Sequence, residues 1–268
     1  MGVLLMRKYH ELNGNDQKDT ILIPDAAHGT NPASVAMAGY KVVEVKSAAN
    51  GLVDLADLES KINDRVAGFM LTNPNTLGLF EKNISKISGL IHDVDGLMYM
   101  DGANMNAMLG LARPGELGFD ITHLNLHKTF STPHGGGGPG SGPIGVNEKL
   151  VDYLPVPRVE LKEKSYHLQY DIPDSIGRVH GFYGNFGILI RAWTYIRMLG
   201  PDGLRKISEG AVSNANYLMH KLKDVFELAY DDTCMHEFVL SAQAQKEKGV
   251  NALQIAKRLL DFGFHSPT

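Results

Sequence analysis

Apolar and polar residues alternate along the first half of the chain in blocks that predict strands and helices in turn. Short, almost continuously apolar runs predict buried strands over residues 20–24, 40–46, 66–72 and 97–100. Between them, apolar residues three and four positions apart predict helices, one capped by Asp54 and one capped by Asn83. Strands that alternate with helices and are apolar on both faces are typical of an α/β fold with a parallel sheet.

The pattern changes after residue 142. The elements predicted there are helices over 184–199, 203–225 and 250–260 and a strand over 236–240. Gly200-Pro201 separates the first two helices, because proline cannot continue a helix without a break. This arrangement predicts a large domain over residues 1–200 and a smaller α/β domain over residues 201–268.

Polar motifs stand at the carboxyl ends of the predicted strands. His28-Gly29-Thr30-Asn31 comes after the first strand, Asn73-Pro74 after the strand over 66–72, and Asp101 closes the strand over 97–100. Ligands of parallel α/β sheets bind just beyond these strand ends. Three polar motifs at one sheet edge therefore predict a ligand-binding site there.

One lysine indicates the chemistry of that site. Lys128 lies in His127-Lys128-Thr129-Phe130, shortly before the Gly-rich run over 134–142. A strand that ends in an aspartate, with a His-Lys pair before a later turn, is the arrangement that an enzyme using pyridoxal 5'-phosphate (PLP) needs. Lys128 would form a Schiff base with the cofactor aldehyde, and Asp101 would pair with the pyridinium nitrogen. The alternatives are a surface lysine before a loop and an aspartate that caps a turn.

The Gly-rich run leaves two functions open. Four consecutive glycines over 135–138 allow unusual backbone angles, which suits either a flexible lid or a phosphate cradle. The run is not a Walker loop, because no Gly-Lys-Ser/Thr follows. His123, His127 and His134 do not have zinc spacing, so no metal site is predicted.

Composition and charge indicate which partners and which cell compartment to expect. The formal net charge is −4 and the basic residues are scattered, so nucleic acid is not an expected partner. No apolar run reaches the roughly 20 residues that span a membrane. The single cysteine, Cys234, excludes an internal disulfide and fits a reducing compartment. A cytoplasmic protein is the prediction.

Several segments together resemble glycine decarboxylase, the P-protein of the glycine cleavage system, and more narrowly subunit 2 of its two-subunit bacterial form. They are residues 27–34, 72–78, 101–107, 124–134 with the following glycines, and 256–268. The combination of His-Lys-Thr-Phe with the Gly-rich run is the most specific of them. The resemblance covers essentially the whole chain.

The resemblance implies an aspartate-aminotransferase-like PLP fold (fold type I) for the large domain, with a mainly parallel sheet and a partial small α/β domain. Family members carry a further N-terminal portion, which includes a loop that cradles the PLP phosphate, and a longer C-terminus. The chain is therefore expected to be a fragment of the subunit.

The resemblance also implies contacts to the cofactor. His28 is expected to stack on the pyridine face, and Asn73 to bond the phenolic oxygen, with Thr30 as a weaker cofactor contact. The alternatives are a histidine that bonds its own Gly-Thr loop and an asparagine in an Asn-Pro turn.

Three further residues are candidates for the cofactor edge. Asn104 is expected to bind the cofactor, and Asn106 is a similar candidate for cofactor or substrate, although turn asparagines have the same pattern. His127, directly before Lys128, is expected to contact phosphate or substrate, and its alternative is a packed histidine.

The activity that the resemblance implies is decarboxylation of glycine. The aminomethyl group passes to the lipoyl arm of the H-protein, whose disulfide is reduced, so the enzyme is an aminomethyl-transferring glycine dehydrogenase. The H-protein and glycine decarboxylase subunit 1 are the implied partners, in a hetero-oligomer. Two alternatives stay open: another PLP-dependent activity on the same fold, and a truncated subunit that holds no cofactor.

Overall fold

A six-stranded sheet forms the centre of the computed structural model, which describes residues 1–136, 138–179 and 184–265. Its strands are β1 (Thr20–Pro24), β2 (Lys41–Val45), β3 (Val66–Thr72), β4 (Leu97–Gly102), β5 (Ile121–Leu124) and β6 (Ile144–Val146). They lie in the order β2-β1-β3-β4-β5-β6, with β1 to β5 parallel and β6 antiparallel to β5. The predicted parallel sheet is confirmed, and two strands that were not predicted are added, the parallel β5 and the antiparallel edge strand β6.

Helices cover both faces of the sheet and make up much of the C-terminal region. They are α1 (Gly2–Leu12), α2 (Thr30–Met37), α3 (Leu55–Lys61), α4 (Ile84–His92), α5 (Leu126–Thr129), α6 (Phe186–Leu222), α7 (Gln243–Glu247) and α8 (Ala252–Asp261). The structure also has two small antiparallel pairs, β7 (Arg158–Lys162) with β8 (Ser165–Gln169) and β9 (Glu227–Leu228) with β10 (Leu240–Ser241), and short 3₁₀-helices over Met105–Ala107, Pro114–Leu117 and Glu148–Tyr153. None of the described helices has the length and apolar character required to cross a bilayer.

The apolar core lies in two layers, one on each face of the sheet. Alternate residues of a strand point to opposite faces, so Phe69 and Met98 pack with α3 and α4, while Met70 and Tyr99 pack with α1. All seven residues of β3 are buried, as expected for a central parallel strand.

The long helix α6 is broken where the sequence predicts a break. Gly200 has φ 62° and ψ −177°, which is not helical, and Pro201 starts the next stretch. The two predicted helices are thus confirmed, and they meet at this kink. The domain boundary at residues 200 and 201 stays a prediction.

Two local predictions are wrong and one is confirmed. Asp54 caps α3 as predicted, accepting hydrogen bonds from two backbone amides. Asn83 precedes α4, but its side chain makes no capping bond, and Glu81 instead accepts from the Asn83 backbone N–H at 3.0 Å. Residues 236–239 are not in a strand, because this segment docks on the large sheet's loops and only Leu240–Ser241 pairs with β9.

Asp120 ties the amino-terminal ends of the central strands together. Its buried carboxylate accepts hydrogen bonds from Met98 N at 2.7 Å and Asn147 Nδ2 at 2.6 Å. His92 Nε2 lies 2.9 Å and Lys149 Nζ 2.7 Å from its oxygens. Burial would raise the pKa of Asp120, but these contacts outweigh it and lower the pKa below its ordinary value.

We expect Asp120→Ala to lower the free energy of unfolding by about 2–3 kcal/mol, because buried donors lose their acceptor. Since the folded-state pKa is lowered, this stabilisation is present above about pH 4, near the pKa of an unfolded aspartate, and is lost as the pH falls further. Urea titrations at neutral and acidic pH measure both effects. Asp93→Asn, at the exposed end of α4, is the control and should change stability by less than about 0.5 kcal/mol. An Asp120→Ala protein with an unchanged midpoint would contradict the account.

Candidate active site

Asp101, near the end of β4, is a buried carboxylate with 4% of its surface exposed. One oxygen accepts hydrogen bonds from Asn31 Nδ2 and Thr72 Oγ1, both at 3.2 Å, and the other accepts from Ala103 N at 3.0 Å. A carboxylate has about four acceptor positions, and the ring nitrogen Nε2 of His123 is the donor at the fourth. A protonated pyridine nitrogen is a donor of the same kind, and it would have to share or replace one of these contacts.

His123 is the strand partner of Asp101 on β5. Its Nε2 lies 3.1 Å from Asp101 Oδ1 and 3.2 Å from Asn125 Oδ1, and its Nδ1 lies 3.1 Å from the hydroxyl of Tyr99. Burial would raise the pKa of Asp101, but the neighbouring His123 and the backbone and side-chain donors lower it to about 2. Asp101 is therefore ionised at neutral pH.

Lys128 lies in α5, directly after the strand that pairs with β4. Its side chain is exposed, and none of the described residues forms a hydrogen bond or an ion pair with its ammonium group. Burial lowers the pKa of His236 to about 4, and the charge of Lys128 adds to that shift. Burial raises the pKa of Glu237, and the charge of Lys128 opposes the rise. Lys128 thus offers an accessible amine whose charge influences two titratable groups of the C-terminal region.

The segment around Lys128 contains buried polar atoms without partners among the described residues. They are His127 Nδ1 and the hydroxyls of Thr129 and Thr132. The His127 ring packs edge-on against His134, with 4.5 Å between the ring centroids. Burial lowers the pKa of His127, and the charges of His134 and Lys128 lower it further. Buried polar atoms normally have partners, so this segment is suited to a polar ligand, as the predicted contact of His127 with phosphate or substrate requires.

Asn73 is fully buried at the end of β3. Its Oδ1 accepts a hydrogen bond from Glu81 N at 3.0 Å, while its Nδ2 has no partner among the described residues. A buried amide nitrogen without an acceptor is unfavourable, and a phenolic oxygen would supply that acceptor. Asn73 therefore fits the predicted contact with the phenolic oxygen of the cofactor. It also precedes Pro74, as the alternative of an Asn-Pro turn requires.

His28 and Thr30 lie at the start of α2, and both are exposed. His28 Nδ1 accepts a hydrogen bond from Thr30 N at 3.1 Å. This is the local loop contact that was the alternative to ring stacking. Stacking of His28 on a cofactor and a contact from Thr30 both stay predictions.

Asn104 joins the loops that follow β3 and β4. Its Nδ2 donates to the Pro74 carbonyl at 3.0 Å and lies 3.4 Å from Glu237 Oε1. The backbone carbonyl of Asn106 accepts from Ser208 Oγ at 2.8 Å. Contacts of either asparagine with cofactor or substrate stay predictions.

The sequence predicted no role at this site for four of the residues found there: Asn31, His123, His236 and Glu237. Asn31 lies inside the motif His28-Gly29-Thr30-Asn31, but the sequence does not indicate that its side chain reaches Asp101. His123 could have been found by strand register, since it lies opposite Asp101 in the sheet. His236 and Glu237 reach the site from over a hundred residues away along the chain, and no local pattern signals such a contact.

No three His, Cys, Asp or Glu side chains gather as a metal site within the described part of the chain.

Gly78 allows the C-terminal segment 235–238 to dock on the loop after β3. Its φ is +80°, a Cβ there would overlap the Glu237 carbonyl oxygen, and its own carbonyl accepts from Met235 N at 2.7 Å. Only glycine adopts this angle freely while leaving room for the neighbouring backbone.

We expect Gly78→Ala to release this segment, because the new methyl group would displace the Glu237 backbone. Hydrogen exchange at the Met235 amide should accelerate by roughly 10-fold or more, which corresponds to about 1.4 kcal/mol of lost local stability. Gly89→Ala is the control, since Gly89 lies in α4 with open space around it. Equal exchange at Met235 in both variants would contradict the docking role of Gly78.

Curated relatives match the whole chain closely. It is 60% identical over 271 residues to "Probable glycine dehydrogenase (decarboxylating) subunit 2" of Chloroherpeton thalassium, covering 100% of this chain and 55% of that protein. It is 58% identical over 267 residues to the protein of the same name from Bacillus cytotoxicus, covering 54% of that protein. The resemblance inferred from the motifs is confirmed, and the chain spans about half the length of the curated relatives it matches.

Solved structures share the fold at low sequence identity. A glycine decarboxylase (P-protein) of the glycine cleavage system, in inhibitor-bound form, aligns with a TM-score of 0.77 at 19% identity, over 98% of this chain and 61% of that chain. Glutamate decarboxylase of Lactobacillus brevis aligns with a TM-score of 0.69 at 15% identity, over 99% of this chain and 62% of that chain. The predicted aspartate-aminotransferase-like, fold type I architecture is confirmed.

Two family models cover separate parts of the sequence. The C-terminal domain of glycine dehydrogenase matches residues 207–268, and aminotransferase class-V matches residues 4–137, which is half of the chain and includes Asp101 and Lys128. The chain therefore belongs to the aminotransferase class-V family.

Proposed function

We propose that this chain carries the PLP site of a glycine decarboxylase and acts in the glycine cleavage system. Asp101 carries the proposal, as a buried, ionised carboxylate on the strand paired with the one that leads to Lys128. The high identity to relatives named glycine dehydrogenase subunit 2 supports the same reaction here. In that reaction the glycine carboxyl group leaves as carbon dioxide, and the aminomethyl group passes to a lipoyl disulfide, which is reduced.

The residues present fit the cofactor that the family suggests. PLP, when bound, supplies an aldehyde that bonds covalently to amines and a ring that accepts electrons from the substrate α-carbon. Lys128 would contribute the amine that anchors it. Asp101 would hold a proton on the ring nitrogen, Asn73 Nδ2 would donate to the phenolic oxygen, and His28 would cover the ring face. These contributions are orientation and electrostatics fixed in advance by the protein.

The proposal includes two protein partners, the lipoyl H-protein and glycine decarboxylase subunit 1. The relatives' name, subunit 2, supports a subunit 1 partner. The first half of α6 also exposes large apolar side chains, with Phe186 75%, Trp193 61% and Met198 81% exposed. Such a surface is typical of subunit contacts, and it supports a hetero-oligomer. A cytoplasmic location belongs to the same proposal.

The test is aminomethyl transfer by the reconstituted system. The PLP-loaded chain is mixed with subunit 1, oxidised lipoyl H-protein and glycine labelled at its carboxyl carbon. We expect labelled carbon dioxide together with H-protein whose mass has increased by one aminomethyl group. Carbon dioxide without modified H-protein would favour another PLP-dependent decarboxylase, and a chain that takes up no PLP would favour the cofactor-free subunit.

A further inference from the structure

One ring nitrogen of His123 faces two oxygen atoms that can only accept hydrogen bonds. His123 Nε2 lies 3.1 Å from Asp101 Oδ1 and 3.2 Å from Asn125 Oδ1. An ionised carboxylate and an amide oxygen carry no hydrogen to donate, and Asp101 is ionised at neutral pH. Nε2 must therefore carry the hydrogen, and this single N–H is shared between two acceptors.

The other ring nitrogen of His123 is held from the neighbouring strand. The hydroxyl of the buried Tyr99, on β4, lies 3.1 Å from His123 Nδ1. Burial raises the pKa of Tyr99, and the charge of Asp101 raises it further, so the hydroxyl keeps its proton at neutral pH. The imidazole is thus held at both nitrogens, and only the choice of acceptor at Nε2 is left open.

The second acceptor lies at the start of the helix that carries Lys128. Asn125 is the residue before α5, and its backbone carbonyl accepts a hydrogen bond from Lys128 N at 3.1 Å. Its side chain makes no capping bond with the helix, so the amide oxygen is available to His123. The imidazole therefore joins the buried acid of β4 to the segment that presents the amine.

A ring N–H can bind Asp101 only if a present donor shares its position or leaves it, since the acceptor positions are filled. Ala103 N contacts the same oxygen, but it belongs to the backbone after β4 and cannot turn away. Asn31 and Thr72 contact the other oxygen. His123 is the donor that leaves most readily, because Asn125 Oδ1 is already within reach of its hydrogen.

We propose that His123 is a positioning residue whose Nε2–H hydrogen bond passes from Asp101 to Asn125 when a ring N–H binds Asp101. The inference deepens the proposed function and rests on it. The hydrogen stays on Nε2 and only its acceptor changes, so no covalent bond is made or broken. No buried donor is left without an acceptor in either state, which is the condition for an exchange without a large loss of stability.

Nitrogen-15 NMR of the unloaded chain tests the shared hydrogen bond. We expect His123 to carry a hydrogen on Nε2, and the signal of this proton to move in Asp101→Ala and in Asn125→Ala, since each removes one acceptor. Asn83→Ala is the matched control, because Asn83 also precedes a helix without capping it, and the signal should stay in place. Asn125→Ala decides the matter if Asp101→Ala does not fold. A bare Nε2, or a signal that Asn125→Ala leaves unchanged, would overturn the proposal.

Titration with PLP tests the passage to Asn125. The Nε2–H signal of the wild type should move towards its position in Asp101→Ala. Asn125→Ala should weaken PLP binding by roughly 10-fold or more, because the displaced N–H finds no acceptor, and Asn125→Asp, which keeps an oxygen there, by less than roughly 3-fold. Equal weakening in the two variants, or a signal that bound PLP does not move, sinks the inference. A wild-type chain that takes up no PLP would overturn the proposed function and the passage with it, whereas the unloaded chain would still show whether the bond is shared.

Discussion

Lys128→Ala is expected to abolish covalent attachment of PLP and to slow aminomethyl transfer by at least roughly 1,000-fold, or about 4 kcal/mol of transition-state free energy. The amine of Lys128 is exposed and has no competing hydrogen bond or ion pair among the described residues. Under the proposed function, its loss would remove both the anchor for the cofactor and the group that glycine displaces. The violet-edge absorbance of lysine-bound PLP and the mass of the borohydride-reduced chain measure attachment directly.

The control for this variant is Lys206→Ala, which removes an exposed lysine from α6. It should bind PLP and transfer the aminomethyl group as the wild type does. A reducible PLP adduct that persists in Lys128→Ala would show that a different lysine holds the cofactor, and the site would have to be placed elsewhere.

Asp101→Asn is expected to slow aminomethyl transfer by roughly 100- to 1,000-fold, because a neutral amide cannot keep the ring nitrogen protonated. Stability should fall by about 1–3 kcal/mol, since an amide nitrogen introduced here would face the donors of Asn31 and Thr72. Single-turnover kinetics and urea unfolding separate the two losses. Thr72→Val, which removes one hydrogen bond and leaves the charge, is the matched variant, and its activity should stay within roughly 10-fold of the wild type.

The pH dependence of Asp101 follows from its lowered pKa. The folded value is about 2 against an ordinary 3.8, so the stabilisation is complete above about pH 5 and is lost as the pH falls through the folded value. If the rate of aminomethyl transfer falls as the pH is lowered near neutrality, the group that titrates must then be one other than Asp101. A fall that disappears in Asp101→Asn would contradict this assignment.

The sequence predicted the sheet well because its strands carry a strong local signal. β3 is apolar at nearly every position and lies at the centre of the sheet, so burial and pattern agree. The break at Gly200 was equally visible, since proline after glycine cannot continue a helix. The short hairpin of β7 and β8 was not predicted, because its residues are mostly exposed and lack an apolar run.

The site was predictable only in part, for a physical reason. Asp101 and Lys128 are marked by residue type and by position at strand ends, which sequence displays directly. The contact of Asn31 with Asp101 depends on how α2 leaves β1, and that of Glu237 with Asn104 depends on tertiary docking. Such contacts are set by packing between distant segments, and no periodicity in the chain encodes them.

Asp101 and His123 pair across β4 and β5, away from the loops that carry the other candidate residues. Two properties of a PLP enzyme, the charge that faces the ring and the recognition of the amine, are therefore assigned to different parts of the fold. Under the proposed function, the charge that would face the ring nitrogen is fixed by the backbone register of β4 and β5. Under the proposed function, the amine would instead meet the loops after β3 and β4 and the C-terminal segment that docks on them. Divergence in those appended parts can therefore alter what is processed while the central acid and its imidazole neighbour stay as they are.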